Sequence, residues 1–87
     1  MRTADLTQLR NQIEELARRS PVGKQVENID VEANDEGDTG SFLRVMVELK
    51  GLDTIEAEEV EPLVKSIEKL VAEVDDRFPS VRFAEAA

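Results

Sequence analysis

The chain has 87 residues, of which 40% are hydrophobic, and its 20 acidic and 11 basic side chains give a formal net charge of −9. This length is sufficient for one domain with a core of modest size, and we expect residues 1–87 to form it. The sequence contains no Cys and no His. This excludes disulfides, thiolate nucleophiles, zinc–sulfur sites and iron–sulfur clusters.

Charge and hydrophobicity exclude further classes. A strongly acidic chain repels phosphate backbones, which argues against nucleic acid as the main ligand. No apolar run approaches the roughly 18 residues that span a bilayer. The N-terminal stretch MRTADLTQLR has no apolar segment of the kind that forms a secretory signal. We therefore expect a cytoplasmic protein that has no membrane part and is not a transporter.

Residues 3–19 are predicted to form the first helix. Asp5, with Gln8 three residues on, resembles a capping box at its start. The helix ends where Pro21 disfavours the α conformation at Ser20. The apolar positions recur at helical spacing on one face, at Leu6, Leu9, Ile13, Leu16 and Ala17.

Two strands are predicted next, over residues 26–33 and 42–50. In the first, apolar and acidic residues alternate, although Val26 is out of phase and is expected to precede regular pairing. Residues 34–41, which hold two Gly and three acids, form the loop between the strands. In the second strand, one face is apolar, with Leu43, Val45, Val47 and Leu49. The other face carries Phe42, Arg44, Met46, Glu48 and Lys50.

A second helix is expected over about residues 55–76, with Asp53 and Glu56 as a possible capping box. The part after Pro62 is strongly periodic, whereas Pro62 either starts the helix or bends it. Pro79 ends the helix, and residues 80–84 form a short last strand with Val81 and Phe83 on one face. The apolar stripe of this helix consists of Leu63, Ile67, Leu70, Val71 and Val74.

The predicted order is therefore αββαβ, an α+β fold. The first two strands form an antiparallel hairpin, and the second helix is long enough to cross over to a third strand that is parallel to the second. We expect a two-layer sandwich in which both helices cover one face of a three-stranded mixed sheet, as in ferredoxin-like and metallochaperone-like folds.

The second half of the chain also carries a family resemblance. A hydrophobic strand and a turn lead into a helix with Glu56-Ala57, Ile67-Glu68 and Leu70, and Phe78-Pro79-Ser80-Val81 opens the last strand. This pattern resembles the C-terminal cytoplasmic domain of cation diffusion facilitator transporters. The resemblance implies an αββαβ, metallochaperone-like fold and a small dimerising cytosolic domain. The family's use of His with carboxylates to bind zinc is not carried over, because the chain has no His.

Catalysis is not expected. Without His, Cys or Tyr, acid–base chemistry would depend on carboxylates or Lys. No GxSxG, GxGxxG or GxxxxGK[ST] motif occurs. We therefore predict no enzymatic activity and no cofactor.

A divalent-cation site is an alternative prediction. Asp53, Glu56 and Glu59 are the candidate metal ligands, although acidic residues are also common at the start of a helix. The loop acids Asp35, Glu36 and Asp38 do not match the spacing of an EF-hand. An RNA- or ribosome-associated role is a second alternative, for which Arg10, Arg18, Arg19 and Lys24 could form a small basic patch.

The main prediction is an interaction or regulatory module that forms a homodimer through its sheet. Phe42 and Met46 are apolar residues on the face of the second strand that should be exposed to solvent, and Arg44 lies between them. Either Val81 or Phe83 could join them, depending on the register of the last strand. If the hairpin forms, Arg44 could oppose Glu32 or Asp30.

Overall fold

A computed structural model of the chain describes residues 3–35 and 41–87. The elements follow in the predicted order αββαβ. Two single 3-10 turns, at Gly23–Gln25 and Leu52–Thr54, lie between them. The main elements are α1 (Leu6–Arg19), β1 (Val26–Asp35), β2 (Ser41–Leu49), α2 (Ala57–Val74) and β3 (Phe78–Glu85).

The three strands form one mixed sheet in the order β1-β2-β3. β1 and β2 are antiparallel, and β2 and β3 are parallel, as predicted. β2 is therefore the central strand, and both of its edges are hydrogen-bonded. Its alternate residues Leu43, Val45, Val47 and Leu49 have no exposed surface.

Both helices pack on the same face of this sheet, because their buried side chains belong to one apolar cluster with those of β1 and β2. The two-layer sandwich is thus confirmed. Neither helix, within the described ranges, is both long and apolar enough to cross a bilayer. The helical side of the cluster is formed by Leu9, Ile13, Ala17, Leu63, Ile67 and Val71.

Strand β1 is longer than predicted and contains an irregularity near its start. Val26 pairs with Leu49 and is 5% exposed, so the expectation that it precedes regular pairing is wrong. The register shifts between Val26 and Asn28, as in a β-bulge, and this shift brings Val26 into the core although it is out of phase with Ile29. β1 also continues to Asp35, where a loop was predicted.

Helix α2 begins later than predicted, at Ala57, because Glu56 rather than Asp53 precedes its first turn. Pro62 lies inside the helix, so the doubtful part before it is helical. The helix ends at Val74 instead of at residue 76. β3 begins two residues earlier than predicted and includes Pro79, which an edge strand tolerates because the missing N–H is not needed for pairing.

Candidate interaction surface on the open face of the sheet

The face of the sheet opposite the helices is built from alternate residues of the three strands. Since α1 and α2 pack on the other side, this face is left uncovered within residues 3–35 and 41–87. We call it the open face. Register partners on neighbouring strands place its residues in four cross-strand rows: Asn34–Phe42–Phe78, Glu32–Arg44–Ser80, Asp30–Met46–Arg82 and Asn28–Glu48–Ala84.

The apolar part of the open face is centred on Phe78. Phe78 is 68% exposed. Among the described residues, it is the large hydrophobic side chain that is exposed to solvent. Phe42 lies beside it as its register partner on β2 and is half-buried, as is Met46. Neighbouring strands are about 4.8 Å apart, so the two side chains leave the sheet from neighbouring positions on the same face. Full burial of one Phe side chain contributes about 1.5–3 kcal/mol, so covering this face is energetically favourable.

The register corrects one part of the predicted patch. Val81 and Phe83 pair with Val45 and Val47 on the core side of the sheet, where they pack against the apolar cluster. Neither of them reaches the open face. Phe78 takes their place, because β3 starts earlier than predicted and its alternation points Phe78 to the side of Phe42. Sequence reasoning treated Phe78 only as the end of the helix.

The polar part of the open face contains charges that form no ion pair within the described residues. Arg44 was predicted to oppose either Glu32 or Asp30, and its register partner is Glu32. No ion pair joins these two residues in the described structure. Arg44 Nε and Asn34 Nδ2 are buried and lack hydrogen-bond partners. A buried donor without an acceptor costs free energy.

A buried ion pair fixes the connection that leads to Phe78. The Asp75 side chain has no exposed surface, and its Oδ2 lies 2.8 Å from Arg77 Nη2. Asp75 Oδ1 accepts hydrogen bonds from the backbone N–H and Nε of Arg77, at 2.9 and 3.0 Å. Oδ2 also accepts one from the N–H of Ala4, at 2.9 Å. These contacts tie the end of α2 to the N-terminal segment and set the point from which β3 starts.

The same contacts determine the charge state of Asp75. Hydrogen bonding from the Arg77 side chain holds the pKa of Asp75 far below its ordinary value, and this effect outweighs the burial that would raise it. Asp75 is therefore ionised at all physiological pH values. Sequence reasoning missed this pair, because Asp75-Asp76 at a helix end looks like solvated charge.

The predicted metal ligands lie around the start of α2. Asp53 is in the 3-10 turn, and Glu56 and Glu59 form a capping box in which the N–H of Glu56 donates to Glu59 Oε2 at 3.2 Å. In the described ranges, no three His, Cys, Asp or Glu residues form a group that could hold a metal ion. The Asp53, Glu56 and Glu59 site stays a prediction, which calorimetric titration with calcium, manganese and zinc would test.

The other two predicted charge clusters have different outcomes. Glu36 and Asp38 lie outside the described residues, as does the side chain of Asp35. In the basic patch, Arg10 pairs with Glu14 at 2.9 Å and Arg19 pairs with Glu15. The Nη1 of Arg18 donates to the carbonyl oxygen of Val26 at 3.3 Å. Arg18, Arg19 and Lys24 remain exposed, so the RNA- or ribosome-associated role stays a prediction.

A shallow groove between α1 and α2 is another surface with some apolar lining. Leu16 and Leu70, both half-buried, lie along it. Its remaining lining is polar and contains both signs of charge: Gln12, Glu15, Arg19, Ser66, Lys69 and Glu73. Because apolar residues are few and charges dominate, the groove is a weaker candidate than the open face.

Comparison with known proteins supports the fold. No protein-family model and no curated protein matches the chain. Three solved structures of MamM-CTD variants match at a probability of 1.00. Two double variants share 15% and 14% identity with TM-scores of 0.53 and 0.54, and each comparison covers 93% of this chain and 94% or 93% of the other. A single variant shares 18% identity, with a TM-score of 0.51, over 93% of this chain and all of the other.

At this level of identity the likeness concerns the fold alone. It confirms the αββαβ, metallochaperone-like architecture and the predicted resemblance to the C-terminal cytoplasmic domain of cation diffusion facilitator transporters. The likeness extends over almost the whole chain, whereas the sequence pattern covered only its second half.

Proposed function

We propose that this chain is a single-domain, non-enzymatic interaction and regulatory module of the cytoplasm, and that it forms a homodimer through the open face of its sheet. The observation that carries the proposal is Phe78. It is 68% exposed and lies in register with Phe42 on a face that neither helix covers. Apolar clusters of this kind on a soluble domain are typical of self-association surfaces.

The charge distribution supports a second copy as the partner. The whole chain has a net charge of −9. On the open face, three acids (Asp30, Glu32 and Glu48) stand against two arginines (Arg44 and Arg82), for a net charge of −1. Two copies that meet through this face therefore keep most of their negative charge away from the contact.

The size of the face sets the expected affinity. Three strands at about 4.8 Å spacing and about eight residues at 3.3 Å each give a face of about 14 by 26 Å. Two such faces bury about 800 Å² in total, which is below the standard size of stable interfaces. We therefore expect a dimer that dissociates in the micromolar range, as suits a regulatory contact.

The absence of His, Cys and Tyr supports a non-enzymatic role. The resemblance of the second half of the chain to the C-terminal cytoplasmic domain of cation diffusion facilitator transporters implies a small dimerising domain, which is in keeping with this proposal.

Light scattering coupled to size-exclusion chromatography, at high micromolar concentration, tests this proposal. We expect the wild type to be dimeric and Phe78→Ser to be monomeric, with an unchanged circular dichroism spectrum. Leu70→Ser is the matched control, because it makes the same kind of change in the groove between the helices and should leave the dimer intact. A monomeric wild type would refute the proposal. So would a dimer that persists in both Phe78→Ser and Met46→Ser.

A further inference from the structure

One cross-strand row of the open face carries opposite charges at its two ends. Asp30 lies on the edge strand β1, Arg82 lies on the opposite edge strand β3, and Met46 lies between them. Both charged residues are exposed, and neither takes part in an ion pair within the described residues. They are two strand spacings apart, about 9.6 Å, with Met46 between them, and no ion pair joins them in the described residues.

Two arrangements bring identical open faces together with aligned strands. If the two-fold axis runs parallel to the strands, β2 lies over β2, and β1 of each copy lies over β3 of the other. If the axis lies in the interface but across the strands, β1 lies over β1 and β3 over β3. A two-fold interface repeats each contact twice, so its charges are either doubly favourable or doubly unfavourable.

The charges discriminate between these arrangements. β1 presents Asp30 and Glu32 on the open face, whereas the charge that β3 presents there is Arg82. An axis across the strands would place the acidic β1 strands against each other, and like charges in an interface are costly. An axis along the strands keeps each row at its own height, so Asp30 of each copy meets Arg82 of the other.

We propose that the dimer has its two-fold axis parallel to the strands and that Asp30 of each copy forms an ion pair with Arg82 of the other. This inference rests on the proposed function and specifies its partner surface. Packed sheets are about 10 Å apart, a distance that a long Arg side chain and a short Asp side chain span together. Sheets pack at an angle of about 30°, so rows near the centre stay aligned best.

The same arrangement places each open-face residue of β2 against its own copy, including the like-charged pairs Arg44–Arg44 and Glu48–Glu48. The axis passes over β2, so Phe42 meets Phe42 and Met46 meets Met46, which gives the interface an apolar centre. Phe78 lies over Asn34 of the other copy and beside both Phe42 rings. The two Arg44 side chains come close to the axis, one strand spacing from Glu32 of either copy. Each Arg44, which has no ion-pair partner among the described residues of its own copy, then has two carboxylates within reach.

Charge reversal tests the arrangement. In Asp30→Arg, two arginines face each other at both ends of the row, and in Arg82→Asp two aspartates do. We expect each single variant to raise the dimer dissociation constant about tenfold or more. The double variant, which carries both Asp30→Arg and Arg82→Asp, restores opposite charges. Its dissociation constant should therefore return to within about threefold of the wild-type value. Sedimentation equilibrium measures all four proteins.

Control variants separate this effect from total charge. Glu68→Arg and Lys69→Asp change the net charge by the same amounts on exposed positions of α2, and they should leave the dissociation constant within about threefold of wild type. Single variants as dimeric as wild type, or a double variant as weak as the singles, would overturn the arrangement even if Phe78→Ser still gave monomers. A monomeric wild type would overturn the proposed function and this inference together.

Discussion

Asp75 links the end of α2 to the start of β3 and to the N-terminal segment. Its carboxylate is fully buried and forms an ion pair with Arg77. It also accepts hydrogen bonds from the backbone N–H groups of Ala4 and Arg77. It follows the last residue of α2, where the helix dipole disfavours a negative charge. Charge-assisted hydrogen bonds contribute about 1.5–3 kcal/mol each, and four of them offset both the dipole and the desolvation of the carboxylate.

We predict that Asp75→Asn lowers the free energy of unfolding by about 3 kcal/mol at pH 7, because it leaves the half-buried Arg77 without a counter-charge. The pKa of Asp75 is lowered by folding, so its contribution is complete above the ordinary value of 3.8 and is lost as the pH falls below that value. The difference between wild type and variant should therefore shrink from pH 5 to pH 2. Urea denaturation followed by circular dichroism measures it at each pH.

Asp76→Asn is the control, since it removes the same charge at the neighbouring exposed position. We expect it to cost less than about 1 kcal/mol. A difference between wild type and Asp75→Asn that is the same at pH 5 and pH 2 would contradict the role given to the carboxylate charge.

Among the elements, α2 contains the clearest local conflict. Pro62 is the sixth residue of the helix, and its missing N–H leaves the carbonyl oxygen of Glu58 without the usual donor. The apolar stripe of the helix packs on the sheet nonetheless, with Leu63, Ile67 and Val71 fully buried. Burial of this stripe therefore outweighs the cost of the proline. This is a case in which tertiary packing decides a boundary that local propensity leaves open.

We predict that Pro62→Ala raises the free energy of unfolding by about 1–3 kcal/mol, because it restores a backbone donor and removes the ring. Thermal and urea denaturation measure the change. Ser66→Ala, at another exposed position of the same helix, should gain about 0.5 kcal/mol from helix propensity alone. If Pro62→Ala raises the free energy of unfolding no more than Ser66→Ala does, the missing hydrogen bond to the Glu58 carbonyl does not destabilise the helix as we predict.

At the level of the whole molecule, the sheet has one protected strand and two free edges. β2 is hydrogen-bonded on both sides, whereas β1 and β3 each have one unpaired edge within the described residues. An unpaired edge can bind another strand, so dimerisation through an edge competes with dimerisation through the open face. The two modes of dimerisation differ in which backbone amides they protect from hydrogen exchange.

We predict that amide hydrogen exchange is slowest in Leu43–Leu49 and that the outward-pointing amides of β1 and β3 exchange equally fast in monomer and dimer. Face-to-face packing buries side chains and leaves the backbone edges free. NMR-detected exchange at low and high protein concentration measures this. Protection of alternate amides along one edge strand at high concentration would indicate edge pairing instead.

The sequence by itself determined the order and type of the elements. Leu43, Val45, Val47 and Leu49 alternate without a break, and the stripe from Leu63 to Val74 keeps helical spacing. These periods follow from local geometry, so they can be read without tertiary contacts. The αββαβ order, the antiparallel hairpin and the parallel crossover all followed from them. Phe42, Arg44 and Met46 were likewise placed correctly on the face away from the core.

Only the tertiary structure decided the features that depend on register and distant contacts. The pairing of β3 with β2 placed Phe78, rather than Val81 or Phe83, beside Phe42. The bulge after Val26 brought that residue into the core. Only the structure showed that the buried Asp75 carboxylate accepts hydrogen bonds from Arg77 and from Ala4, because Ala4 lies near the other end of the chain. A shift of one residue exchanges the two faces of a strand, and no local pattern fixes that shift between strands joined by a helix.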